Sequence, residues 1–318
     1  MSLDPKNDIV FKKLFATEEN KDLLMALINS ILPANEQIVK IELQNPYQVS
    51  DYITGKNSVL DIKAIDENGI FYDIEMQIQH YDFFAKRMLF YWAKMFSKQI
   101  DKSPNKTKHY VYKELTKCIV ITFMDFVYFK EDEKHIRCFS IKDRETNEMH
   151  KSLDYLDMYF IELLKFKEEL TIMNNLKTAQ DKWLIFLKKG YDENGMPQYL
   201  YDDDPLIEKA REELRIMDLN FDEQEYYEGQ QKKIADHNAV VEQIEREKAE
   251  NQAEKAENQA EKALLLKQKQ EFEAKKQEFT IKNLETAKRL LEMGLNNEVI
   301  AVATMLSEDE IEKIRKKQ

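Results

Sequence analysis

Apolar residues in the first 130 positions of the chain follow two alternating rhythms, one of period 3.6 and one of period 2. Phe11, Leu14 and Phe15 fall on one face of a helix predicted from Ile9 to Phe15. Leu23, Leu24, Leu27, Ile28 and Ile31 do the same from Asp22 to Leu32, where Pro33 stops the helix. Ile38 to Leu43 reads as a strand closed by Asn45-Pro46. Two strand-like segments follow, at 59–66 and 70–78, joined by the hairpin turn Glu67-Asn68-Gly69. Strict alternation gives Leu60, Ile62 and Ala64, with Ile74, Met76 and Ile78, one set of faces. Asp61 and Lys63, with Asp73, Glu75 and Gln77, take the other. Asp82 to Ile100 is a strongly apolar helix, and Cys118 to Met124 a continuous apolar run, the pattern of a strand covered on both sides. Helix, three strands, helix, strand is the order of an α/β sandwich core.

Further along, Ile136 to Ile141 and Met158 to Leu164 read as strands, and 180–189 and 206–218 as helices. The acids of Tyr201-Asp-Asp-Asp204 point in different directions and read as a solvated loop. Beyond about 238, glycine and proline almost vanish and a seven-residue repeat appears, Asn251-Gln-Ala-Glu-Lys-Ala-Glu257 followed by Asn258-Gln-Ala-Glu-Lys-Ala-Leu264. Ala253, Ala256, Ala260 and Ala263 form a thin a/d seam, and Leu265, Phe272 and Phe279 recur on a shifted register. This is a long helix, either a coiled coil joining two copies or a solvated single helix. Gly294 ends it, Glu298 to Met305 forms a short helix, and Ser307-Glu-Asp-Glu310 is a capping box opening another. Three parts result: an α/β domain over 1–237, a long helix and coiled-coil candidate over 238–292, and a small helical hairpin over 293–318.

Composition narrows the function. An apolar fraction of 43% and an aromatic fraction of 11% fit a globular protein. The net charge of −12 argues against a general nucleic-acid coat, but over residues 1–130 lysine and arginine balance aspartate and glutamate. No run approaches the roughly 20 apolar residues of a membrane span, and the N-terminal residues predict no signal peptide. Cys118 and Cys138 read as reduced core residues of a cytoplasmic protein. The five histidines are scattered singly, without metal-site spacing.

Chemistry therefore concentrates in the hairpin. Two carboxylates and an amide, Asp61, Glu75 and Gln77, project together from a sheet whose other side is apolar. Hard oxygen ligands in that arrangement suit a divalent cation. Leu60-Asp61-Ile62 and Ile74-Glu75-Met76 place the acids in apolar, partly enclosed surroundings. Burial there is costly without a counter-charge.

With these residues the chain resembles the PD-(D/E)XK nuclease superfamily, and within it the Rpn-like recombination-promoting nuclease and transposase family. The resemblance rests on Asp8-Ile-Val-Phe-Lys12-Lys-Leu-Phe15, Leu60-Asp61-Ile62, Ile74-Glu75-Met76-Gln77, Arg87-Met-Leu-Phe-Tyr91-Trp-Ala-Lys94 and the strand Cys118 to Phe123. It covers roughly residues 4–230, and elements of the C-terminal tail also recur in such proteins. It implies a restriction-endonuclease-like core, a mixed sheet flanked by helices, followed by the helical extension. The activity implied is a DNA endonuclease dependent on Mg²⁺ or Mn²⁺ and linked to recombination or a mobile element. Asp61, Glu75 and the backbone carbonyl of Met76 would hold the metal.

Gln77 stands where the superfamily has lysine; an amide orients water but supplies no positive charge. Lys63, on the face of Asp61, is a candidate for that charge or a solvated lysine. Asp8 reads either as the N-cap of the first helix or as an additional acid for a second metal. Arg87 and Tyr91, four apart on one helix, either contact DNA phosphate or brace the cluster. A nuclease fold kept as a DNA-binding or assembly module is the rival reading.

Overall fold

The computed structural model describes residues 3–44, 61–102, 111–167, 178–190 and 204–316, with backbone alone for Asp61, Lys102, Val111 and Glu245. Residues Met1–Asn238 and Ala239–Gln318 form two compact units.

The first unit is built on a mixed sheet. Its strands are β1 (Ile41–Leu43), β2 (Asp61–Asp66), β3 (Phe71–Gln77), β4 (Cys118–Met124), β5 (Ile136–Ser140) and β6 (Leu156–Glu162). They lie in the order β1-β2-β3-β4-β6-β5, with β3, β4 and β6 parallel and the other pairs antiparallel. The helices are α1 (Asp8–Phe15), α2 (Lys21–Ile31), α3 (Phe84–Lys102), α4 (Ala179–Lys189) and α5 (Pro205–Ile216), followed by α6 (Phe221–Glu292).

Period-2 alternation divides the sheet between two cores. Ile62, Ala64, Tyr72, Ile74, Met76, Ile119, Ile121, Phe123 and Ile161 pack with the apolar faces of α1, α2, α4 and α5 in the larger one. Cys118, Val120, Met124, Met158 and Phe160 pack with Phe84, Met88 and Met95 of α3 in the smaller one. β4 is buried at every position, as its uninterrupted apolar run predicts. Each large side chain taken out of water in this way contributes about 1.5–3 kcal/mol. The connection from β3 through α3 to β4 is the crossover that two parallel strands require.

The hairpin of β2 and β3 turns where the sequence places it. Gly69 takes φ +77° there, a left-handed conformation that a side chain would strain. Asp66 Oδ1 accepts from the backbone N–H groups of Asn68 and Ile70, at 2.9 and 2.8 Å. Boundaries shift modestly elsewhere. The first strand begins at Ile41 rather than Ile38, and the strand expected at 158–164 runs from Leu156 to Glu162. Cys118 is buried, but Cys138 is exposed on the edge strand β5, a correction to its expected core place. Residues 59–60 of the first hairpin segment and 201–203 of the acidic stretch lie outside the described residues. Asp204 is the N-cap of α5, accepting from the N–H of Leu206 and Ile207.

The long helix begins at Phe221 and not near 238, so its first turns belong to the α/β unit. There Glu223, buried, pairs with Lys13 of α1 at 2.7 Å. Leu265, Phe272 and Phe279 are exposed. In the second unit, α7 (Asn297–Thr304) and α8 (Glu308–Arg315) fold on Ala287, Ile300 and Ile311, and the Ser307–Glu310 capping box is formed. Among the described residues, no helix is long and apolar enough to cross a membrane.

Candidate active site

Asp61 and Glu75 are direct cross-strand partners, as are Lys63 and Asp73 one pair nearer the turn. Directly opposed residues share a face of the sheet and have Cβ atoms about 4.5–5.5 Å apart. The row continues through Thr122 of β4, the partner of Glu75, to Phe160 of β6. Asp73, Glu75 and Thr122 are fully buried and Gln77 is 3% exposed. The acids therefore lie on the α3 side, where the sheet's apolar lining gives way to polar residues. A strand of alternating character produces this with no irregularity: each acid is one step from a core residue, Ile74 or Met76.

Gln77 Nε2 donates to Glu75 Oε2 at 2.8 Å. Nη2 of Arg87, one turn into α3, donates to Gln77 Oε1. The amide is thus set in one orientation, carbonyl toward the guanidinium and nitrogen toward the carboxylate. A net protein hydrogen bond contributes about 0.5–1.5 kcal/mol, so the amide holds the Glu75 side chain in one orientation. The Arg87 guanidinium carbon lies 5.8 Å from the Tyr81 ring centroid and 6.0 Å from that of Tyr91. Tyr91 itself packs on the smaller core.

The remaining residues expected at the site divide. Lys63 stands opposite Asp73 rather than Glu75. The side chain of Met76 points into the larger core, which leaves its backbone as the only part able to serve the acids' side of the sheet. Asn7, not Asp8, is the N-cap of α1, its side chain accepting from the N–H of Ile9 at 3.2 Å. That corrects the capping reading: Asp8 is the first helical residue. Burial pushes its carboxyl up to about 7, against the opposing pull of Lys12. Burial and then the Asp8 charge push the phenol of Tyr226 up to about 12. The His80 ring meets Phe126 edge-on, with centroids 5.2 Å apart, and lies tilted against Tyr128 at 5.6 Å.

Sequence reasoning passed over three groups. Asp73 was placed on the correct face but not in the cluster. Thr122 is the one hydroxyl in the apolar β4 run, and that singularity is its signal; its Oγ1 donates to Met88 Sδ at 3.4 Å. Lys6 pairs with Asp125 at 2.8 Å, and the Asp125 N–H donates to the Gln77 carbonyl at 2.9 Å. This draws a lysine from ahead of α1 to the C-terminal end of β3.

The donor set suits a hard divalent cation: carboxylate positions opposed across a hairpin, with Glu75 desolvated and oriented. Among the described residues, no three histidine, cysteine, aspartate or glutamate side chains gather as a complete metal cluster. A family model described as PD-(D/E)XK nuclease family transposase matches residues 5–244. No curated protein and no solved structure matches the chain.

Proposed function

The chain belongs to the PD-(D/E)XK nuclease family transposases, and on that premise we propose that it is a metal-dependent DNA endonuclease acting in the cytoplasm, in recombination or for a mobile element. The observation that carries this reading is the direct pairing of Asp61 with Glu75, beside a Gln77 anchored by Arg87. Asp61, Glu75 and the Met76 carbonyl would hold Mg²⁺ or Mn²⁺. The bound ion supplies Lewis acidity, lowering the pKa of water and offsetting charge on the scissile phosphate. Glu75 is aligned by Gln77, whose second amide hydrogen can be offered to a water or phosphate oxygen. Arg87, ten positions on and bonded to the Gln77 amide oxygen, contributes the positive charge that a lysine gives elsewhere in the superfamily. Asp8 serves as an added acid at the N-terminus of α1, and Lys63 balances Asp73. Exposed Leu265, Phe272 and Phe279, each seven residues apart on α6, support pairing of two copies, so that two sites cut two strands.

Supercoiled plasmid with Mg²⁺ or Mn²⁺ tests the reading. Parent protein nicks or linearises it, and Asp61→Asn and Glu75→Gln do not; equal cutting by both variants would overturn the assignment. One observation favours a second reading, a nuclease fold retained as a DNA-binding or assembly module: both polar ends of Gln77 are already engaged. Calorimetry with Mn²⁺ separates the two, because a scaffold has no need of the ion.

A further inference from the structure

The outer face of α3 carries a feature that the acids do not account for. Phe83 and Phe90 are 55% and 61% exposed, and Lys86 and Lys94 lie among them in water. Phe83 caps the helix, its carbonyl accepting from the Arg87 N–H at 3.0 Å. Helical spacing then places positions 83, 87, 90 and 94 within about 60° of one another. Arg87, the residue that reaches down to Gln77, therefore lies within this stripe of two aromatic rings and cations, and Lys86 flanks it. Phe83 and Phe90 are separated by about 10 Å along the helix axis, the length of roughly three base steps.

We propose that this stripe is the seat of unpaired nucleotides, so that the substrate is DNA with a single-stranded stretch at the cut site: a tail, flap or bubble. The proposal rests on the nuclease reading and names its substrate. Aromatic rings stack on bases of any sequence, and lysines beside them neutralise phosphates. Along the described length of α3 the exposed acids are Asp82 just before the helix, about 100° round from Phe83, and Asp101 in its last turn, against cations at 86, 87, 94 and 98. Two copies meeting through the same face would oppose like charges, because a two-fold interface sets each patch against itself. A polyanion fits where a second copy does not. In a duplex the bases face inward and present no ring surface, so exposed phenylalanines gain little from it.

The test is fluorescence anisotropy with the full chain, Ca²⁺ replacing Mg²⁺ to hold the DNA intact, on labelled single strand, blunt duplex and tailed duplex of matched length. Parent protein is expected to bind the tailed duplex and single strand about tenfold or more tighter than blunt duplex. Phe83→Ala/Phe90→Ala removes that preference, leaves blunt-duplex affinity in place and keeps the circular dichroism of the parent. Lys86→Ala/Lys94→Ala lowers the salt dependence of single-strand binding, by roughly 0.7 in log–log slope per contact. Equal affinity for tailed and blunt duplex, or a preference that survives loss of both rings, overturns the proposal. So does a phenylalanine variant that sediments as a smaller species than the parent, which would make the face a contact between copies. No cleavage is read in these arms, so their failure leaves the plasmid result for Asp61 and Glu75 untouched, and the reverse also holds.

Discussion

Arg87 of α3 and Gln77 of β3 are joined by a hydrogen bond from guanidinium to amide oxygen, and that bond dictates which end of Gln77 meets Glu75. In the proposed metal site Arg87 would orient a ligand through Gln77, and residues in that position are typically worth 10–100-fold in metal affinity or activity. Arg87→Met should therefore weaken Mn²⁺ binding and cleavage by about that factor. Arg87→Lys should recover part of both, since an ammonium donates to the amide but lacks the planar fork. Calorimetry with Mn²⁺ checks the first part without reliance on turnover; unaltered affinity in Arg87→Met would refute the linkage.

Gln77→Lys restores the superfamily's residue but not its setting. It places an ammonium beside the Arg87 guanidinium and removes the acceptor that guanidinium uses. The single variant should lose about 1–3 kcal/mol of stability and gain no activity. Gln77→Lys/Arg87→Met removes the repulsion and should cut faster than either single variant. Urea unfolding with plasmid cleavage across this double-mutant cycle measures the coupling.

Asp8 makes stability depend on pH. Its folded-state value of about 7 exceeds the value of roughly 3.9 expected in the unfolded chain. Between those limits the folded protein holds a proton that the unfolded chain has released, so stability falls as pH rises toward 7 and is level above it. In metal-free buffer, Asp8→Asn should gain roughly 1–2 kcal/mol on the parent near pH 8, the shift being discounted for partial solvent contact. Near pH 4 it should gain nothing. Urea midpoints at the two pH values decide; an advantage independent of pH would show that the carboxyl is not desolvated.

Lys117 is a structural counterpart, far from any proposed chemistry. Its ammonium lies 2.6 Å from buried Asp157, 2.8 Å from Asp154 and 3.9 Å from Glu36. Burial pulls its pKa down, but hydrogen bonds to Asp154 and Asp157 prevail and raise it to about 12. Lys117→Met strands a buried carboxylate and should cost about 3–5 kcal/mol. In the parent this contribution is intact across the neutral range and fades only as pH climbs through about 12. Thermal unfolding reads the loss, and DNA cleavage below the variant's melting temperature should match the parent.

Period and punctuation in the chain were enough to specify the hairpin of β2 and β3, the face shared by Asp61, Lys63, Asp73, Glu75 and Gln77, the wholly buried β4 and the Ser307 cap. Each of these follows from interactions spanning a few residues, where backbone geometry leaves few choices. Asn7 rather than Asp8 as cap is a one-residue error of the same local kind, because adjacent Asn and Asp compete for one role. What tertiary structure decided is of another sort. Strand order brought Thr122 beside Glu75, the α3 crossover carried Arg87 onto Gln77, and the start of α6 at Phe221 put Glu223 and Tyr226 against α1. Those pairs are separated by between ten and more than two hundred positions. No local periodicity encodes them, since they arise only when separate elements pack on a common sheet and their polar groups must find partners there.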